Sequence, residues 1–143
     1  MKRLILIPAL VLASAAFAHQ GVKDSQVLAR MELMKEVAAD MKVLGQMAKG
    51  QTAFDASKAR TSAANLSAHA TETIRLFEAN ATDPKSEALP AIWENFPEFT
   101  AQAQDMGAAA DALKLGSDAE FRESFTALAQ TCGSCHKTFR QKN

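Results

Sequence analysis

The chain has 143 residues and carries 16 Lys+Arg against 16 Asp+Glu, so its formal net charge is zero. That length fits one domain with one hydrophobic core. Because no excess of basic residues dominates the surface, the composition argues against a nucleic-acid-binding protein.

The first 18 residues have the pattern of a secretory signal peptide. Two basic residues, Lys2 and Arg3, precede an uncharged stretch over residues 4–18 that closes in the small-residue sequence AFA. A membrane anchor is the alternative, but this stretch is short for a span. We therefore predict cleavage after Ala18 and an exported domain of residues 19–143 without a membrane anchor. Removing the two basic residues gives that domain a formal charge of 14 − 16 = −2.

The exported part is rich in alanine, leucine, methionine, glutamate and lysine, which favours helices, and it lacks the period-2 pattern of strands. Asp24 or Ser25 caps the first predicted helix and Gly50 ends it, while Pro97 is tolerated in the first turn of the third. SDAE at 117–120 is typical of a capping box. Three prolines over residues 80–97 predict one long, irregular connection. The four predicted helices cover approximately residues 25–49, 56–80, 96–115 and 118–140.

Each predicted helix carries an apolar stripe at steps of three and four residues. In the first helix the stripe is Val27, Met31, Met34, Ala38, Met41, Gly45 and Ala48. In the second it is Ala59, Ala63, Leu66, Ala70 and Phe77, and in the third Phe99, Ala103, Met106, Ala110 and Leu113. In the fourth it is Phe121, Phe125, Leu128, Cys132, Cys135 and Phe139. Four such helices predict an all-α fold, an antiparallel four-helix bundle, whose many alanines leave room for a further group in the core.

Both cysteines of the chain lie in the sequence CGSCH, as Cys132 and Cys135, directly followed by His136. A thioredoxin-like redox pair belongs at the start of a helix after a strand, and a zinc site needs four ligands. A disulfide within one helical turn is possible in an exported protein but closes a tiny loop. Covalent attachment of one haem c through two thioethers, with His136 as the proximal iron ligand, explains all three residues.

A haem motif near the end of a helical bundle resembles the class II cytochromes c, the cytochrome c′ family. The resemblance covers the whole exported domain, and its matching pieces are RMELM, AKGQTAFD, LPAIW and CGSCHKTFR. It implies a left-handed bundle with haem between the helices and a location in the bacterial periplasm. The family has two branches. One has five-coordinate iron that leaves room for NO or CO, and the other is low-spin, with a first-helix methionine as sixth ligand.

The resemblance also assigns roles to two residues of the first helix. Met34 matches the position of the family's methionine ligand, and on a helical wheel it lies at the centre of the predicted stripe. Met31 and Met41 are the lesser candidates, and all these methionines could instead fill the core. Arg30, one turn earlier, matches an arginine that pairs with a haem propionate. The alternative for Arg30 is a side chain that packs its stem and leaves its charge in water.

These observations predict a periplasmic c-type cytochrome that carries single electrons on a haem with His/Met ligation. A five-coordinate haem protein that binds NO or CO is the alternative. No nucleophile–base pair or carboxylate dyad is evident in the sequence, so we do not expect an enzyme. The expected partners are redox proteins of unknown identity, and a homodimer is possible.

Overall fold

A computed structural model describes residues 21–142, and within that range every extended element is a helix. Residues 1–18, predicted to be a signal peptide, lie outside the described part. The one β-bridge among the described residues joins Ala88 to Arg140. The five helices are α1 (Ser25–Ala48), α2 (Ala56–Phe77), α3 (Ala91–Glu94), α4 (Phe96–Asp111) and α5 (Asp118–Phe139).

The four long helices form the predicted all-α bundle. Helix α2 packs against α1 and α4, and α4 packs against α5, whereas α1 and α5 touch less extensively. None of the helices in residues 21–142 combines the length and the hydropathy that crossing a membrane requires.

The predicted starts of α1, α2 and α5 are confirmed, and side chains satisfy backbone N–H groups at all three. The Asp24 carboxylate accepts hydrogen bonds from the N–H groups of Gln26 and Val27 at 2.8 and 3.0 Å, which caps α1. Asp55 caps α2 in the same way. Ser117 accepts a bond from the Glu120 N–H at 3.3 Å. The Glu120 carboxylate then accepts from the Ser117 hydroxyl instead of the backbone N–H that a complete capping box uses.

The predicted helix ends are less accurate. Helix α2 stops at Phe77 and α4 at Asp111, three and four residues before the predicted ends near 80 and 115. The predicted irregular connection also contains α3, a four-residue helix too short to produce a periodic pattern. Pro90 precedes it, and the Trp93 indole N–H donates to the carbonyl of Phe77 at 2.8 Å, which fixes α3 to the end of α2.

The core has two clusters. The larger lies between the long helices, and the smaller consists of Phe77, Ile92, Phe99 and Phe139. All residues of the predicted α2 and α4 stripes are buried, so these two stripes are confirmed. In the α5 stripe Phe121, Leu128 and Phe139 are buried, whereas Phe125, Cys132 and Cys135 are half-buried.

The predicted core face of α1 is wrong, apart from Val27. The buried face is Val27, Arg30, Leu33, Val37, Leu44 and Met47. Met31, Met34 and Met41 are half-buried beside that face, and Ala38 is exposed. The helix has two adjacent apolar stripes, and hydrophobic periodicity alone does not decide between them. Branched aliphatic side chains make up most of this face, Met47 is buried with them, and Met31, Met34 and Met41 lie at its edge.

Helices α2 and α4 approach each other closely at Gly107. A methyl group placed on Gly107 would lie 3.1 Å from Cβ of Ala70, tighter than ordinary van der Waals contact, and 3.8 Å from the backbone oxygen of Ser67. Glycine is therefore required by the helix spacing here, not by the backbone conformation.

Replacing Gly107 with leucine should destabilise the bundle, because the side chain would force α2 and α4 apart. Overpacking of this kind costs on the order of 1–3 kcal/mol. The neighbouring Ala108 is exposed on the same helix, so Ala108→Leu serves as the matched control and should leave stability nearly unchanged. Chemical denaturation of the purified variants measures both. Equal stabilities for the two variants would contradict the assigned close approach.

Candidate functional site

The two cysteines lie in the second half of α5, three residues apart, so their side chains project from the same side of the helix. Both are half-buried free thiols. Cys135 packs against the smaller core cluster, which contains Phe77, Phe99 and Phe139. The motif therefore lies where the cysteine-bearing face of α5 meets an aromatic cluster.

Burial keeps both thiols neutral. It raises the pKa of Cys132, and it raises the pKa of Cys135 to about 11, with the nearby Cys132 as a lesser cause. Reactive redox cysteines instead have lowered pKa values and lie near positive charge or at helix N-termini. Within residues 21–142, no three or more His, Cys, Asp or Glu side chains are grouped so that they could hold a metal ion. The environment thus suits neither a redox pair nor a zinc site.

His136 is exposed on the last turn of α5, beside a shallow surface groove that Lys137 and Arg140 also line. Desolvation by the surrounding protein lowers the pKa of His136, and the positive charge of Arg140 adds to that effect, while Glu87 opposes it. The lowered pKa favours the neutral imidazole, which is the form that binds a metal.

The register between α1 and α5 follows from two contacts at one end of this helix pair. A methyl group on Gly45 would lie 3.8 Å from Cζ of Phe125. The Arg122 guanidinium donates to the carbonyl of Ala48. Ala48 lies three residues after Gly45 in α1, whereas its partner Arg122 lies three residues before Phe125 in α5. The two helices are therefore antiparallel.

This register brings Met34 level with His136. Met34 lies 45 − 34 = 11 residues from Gly45, and His136 lies 136 − 125 = 11 residues from Phe125. At 1.5 Å per residue, both positions are about 16 Å along the bundle from the contact between the two helices. Met31 is level with Phe139 by the same count, and Met41 is level with Ala129.

The side chain of Arg30 is buried, with 3% of its surface exposed, so it does not leave its charge in water. Its Nε donates to the carbonyl of Leu76 at 2.9 Å, one Nη donates to that of Ala81 at 2.8 Å, and the other Nη donates to that of Ala79. Burial lowers the pKa of Arg30, against the charge of Asp24, but an arginine stays protonated.

The same guanidinium also lies over two aromatic rings. Its central carbon is 4.6 Å from the centroid of Phe77 and 5.2 Å from that of Trp93, within cation–π range. Arg30 therefore joins α1 to the end of α2 and to α3. These interactions compensate for the cost of burying a charge.

The segment between α2 and α3, residues 78–90, is fixed to the end of α5 as well. We call it the α2–α3 connection. Its Glu87 carboxylate accepts a bond from Nε of Arg140 at 2.7 Å. The Leu89 N–H donates to the carbonyl of Phe139 at 2.9 Å, and the Gln141 N–H donates to that of Glu87 at 2.8 Å. Sequence analysis did not identify Glu87, because it lies in a stretch without periodicity.

Comparison with known proteins places the whole described bundle in one family. The family model for "Cytochrome C'" matches residues 25–140. Cytochrome c-554 of Cereibacter sphaeroides is 37% identical over 150 aligned positions, which cover 96% of this chain and 98% of the relative. Cytochrome c-556 of Agrobacterium fabrum is 32% identical, covering 98% of this chain and 97% of the relative.

A solved structure shows the same fold. Cytochrome c′ from Rhodopseudomonas palustris superimposes with a TM-score of 0.79 at 27% identity, covering 85% of this chain and 99% of that chain. Together with the CGSCH motif on α5, these matches show that the chain belongs to the cytochrome c′ family, whose cofactor is a covalently attached haem c.

Proposed function

We propose that this c-type cytochrome carries single electrons on a haem attached to Cys132 and Cys135, with His136 and Met34 as its axial ligands. The observation that carries the proposal is the register of α1 and α5, which brings Met34 level with His136. Haem supplies a one-electron iron couple when it is bound.

The residues present fit a haem c. Two thiols on one side of α5 suit addition to two vinyl groups, in which each sulfur bonds to one vinyl carbon and its hydrogen goes to the other. Ala38 on α1 is level with Cys132 by the same register and has only a methyl side chain. The chain thus has a small residue at the level of the thiols, which leaves space for a flat ring.

Axial ligation is supported by the chemistry of the His136 and Met34 side chains and by their positions along the bundle. The lowered pKa of His136 favours the neutral imidazole that can bind iron. Met34 has a thioether, the sixth ligand of many low-spin cytochromes. Met31 is three residues from Met34 and Met41 is seven, so they lie about 4 and 10 Å away along the helix axis. Met47 is buried in the core. Met34 is therefore the methionine best placed for the role.

Ligation of the haem iron by two side chains of the protein favours electron transfer over catalysis. His/Met ligation leaves no open position for a substrate or a gas, and it raises the reduction potential relative to other ligand sets. Electron transfer needs only close approach of a redox partner. The proposed partners are redox proteins, and a homodimer is the proposed assembly to test.

Arg30 remains our proposed partner of a haem propionate. Its three bonds to carbonyls use one hydrogen on each nitrogen. A guanidinium has five N–H donors, so each Nη has a second hydrogen that can donate to a carboxylate.

Export to the periplasm is the remaining part of the proposal. It rests on the basic, apolar and small-residue order of residues 1–18, which predicts cleavage after Ala18. The family model begins at residue 25, beyond that segment, and therefore agrees with a haem domain of residues 19–143.

Attachment through both cysteines predicts that haem stays with the chain through denaturation and acid–solvent extraction. A Cys132→Ala/Cys135→Ala double variant should release its haem under the same treatment, because only coordination and packing would hold it. Ser134→Ala, between the two cysteines, is the matched control and should retain haem. Extraction followed by absorption and mass measurement of the protein distinguishes these cases. Haem that extracts from the unmodified protein would contradict thioether formation.

Ligation by Met34 predicts that the oxidised protein is low-spin and that the reduced protein binds CO slowly, because CO must displace the sulfur. Met34→Ala should shift the iron toward high spin and accelerate CO binding. Absorption spectra and CO mixing measure both effects.

Met31→Ala and Met41→Ala are the controls. Both side chains are only half-buried, so these changes should cost less than the ~2–5 kcal/mol of a fully buried Met→Ala change and leave the spectrum unaltered. If the unmodified protein is high-spin and binds CO rapidly, Met34 is not a ligand, and a gas-binding function becomes the better explanation.

A further inference from the structure

We propose that the α2–α3 connection is a clamp that sets the distance between the two ligand-bearing helices, with Glu87, Arg140 and Arg30 as its positioning residues. This inference rests on the proposed His/Met ligation. It assigns to the connection a role in keeping the Met34 sulfur on the iron.

The first attachment of the clamp is to α1. The buried guanidinium of Arg30 donates to the carbonyls of Ala79 and Ala81 in the connection, and to that of Leu76 just before it. Bonds from a charged donor are stronger than neutral ones. Asp83, also in the connection, accepts from the N–H of Lys23 at 2.9 Å. The start of α1 is thus fixed to the connection at two positions, Lys23 and Arg30.

The second attachment is to α5. The Glu87 carboxylate binds Arg140, and backbone bonds join Leu89 to Phe139 and Gln141 to Glu87. These three interactions surround the end of α5, immediately after the CGSCH motif. One continuous segment therefore contacts both helices.

The two arginines lie symmetrically about the proposed ligands. Arg30 precedes Met34 by 34 − 30 = 4 residues, and Arg140 follows His136 by 140 − 136 = 4 residues. Each is about one helical turn beyond its ligand, and the register of α1 and α5 puts the two arginines at the same level. The clamp therefore joins α1 to α5 about 6 Å from the proposed iron ligands along the bundle.

Such a clamp matters because a neutral thioether is a weak ligand. The imidazole is fixed beside two covalent attachments, whereas the sulfur is held only by the position of α1. The contacts of α1 with α5 at Gly45 and Ala48 lie about 16 and 21 Å from Met34 along the bundle. The connection is the nearer constraint on their separation, so loosening it should favour the state with sulfur off the iron.

Glu87→Gln tests the clamp without changing a residue of α1 or α5. The Glu87–Arg140 pair is exposed, so we expect roughly a two- to fivefold rise in the rate of CO binding to the reduced protein, the size that an exposed ion pair supports. The high-spin fraction of the oxidised protein should rise with it. Amide hydrogen exchange at Leu89 and Gln141 should accelerate, which reports the clamp independently of the haem.

Three further variants separate positioning from general destabilisation. Arg122→Gln is the matched control, because it removes an arginine contact between α1 and α5 at the far end, and it should not change CO binding. Glu87→Arg/Arg140→Glu restores an ion pair and should recover the slow rate. In a Met34→Ala background, Glu87→Gln should have no further effect, because no sulfur remains to be displaced.

The outcomes are distinguishable. A high-spin unmodified protein overturns the proposed ligation, and the clamp with it. A low-spin protein in which Glu87→Gln and Arg122→Gln have equal effects on CO binding overturns the clamp alone. Faster CO binding by Glu87→Gln that persists in the Met34→Ala background also overturns it, because the carboxylate would then act on ligand entry and not through the sulfur.

Discussion

The close packing of α2 against α4 determines the layout of the bundle. Small side chains meet there, with Gly107 facing Ala70 at a spacing that barely admits a methyl group. Helices α1 and α5 touch less extensively, and several of their larger side chains, including Met34 and Phe125, are only half-buried. The bundle is therefore asymmetric, with close packing between α2 and α4 and looser packing between α1 and α5.

The buried charge of Arg30 is the second constraint. A guanidinium removed from water needs acceptors, and backbone carbonyls supply them. The carbonyl of Leu76 lies in the last turn of α2, where a helix leaves such groups without intrahelical partners, and those of Ala79 and Ala81 lie in the connection. Arg30 therefore holds the connection against the end of α2.

Sequence patterns predicted much of this architecture. The starts of α1, α2 and α5 followed from Asp24, Asp55 and Ser117, because capping is a local interaction. The buried residues of α2 and α4 also followed, since each of those helices has one apolar stripe. The core face of α1 did not, because two apolar stripes lie side by side and tertiary packing selects between them.

The candidate site was predictable to a similar extent. CGSCH specifies its chemistry through residue type and spacing alone. The partners of Arg30 were not predictable, because they are carbonyls 46 or more positions away in a segment without periodicity. Glu87 was missed for the same reason. A long-range contact made by backbone or by a single exposed side chain leaves no trace in local composition.

The neutral thiols of α5 have a consequence for the order of events during biogenesis. Cys135 packs against aromatic rings, and burial raises its pKa to about 11, so the docked thiol is neutral at neutral pH. The thiolate is the better nucleophile, so a sulfur that is still exposed to water reacts more readily with a vinyl group. Docking of α5 therefore makes Cys135 a poorer nucleophile, and the proposed attachment of haem is easier before that helix packs than after it.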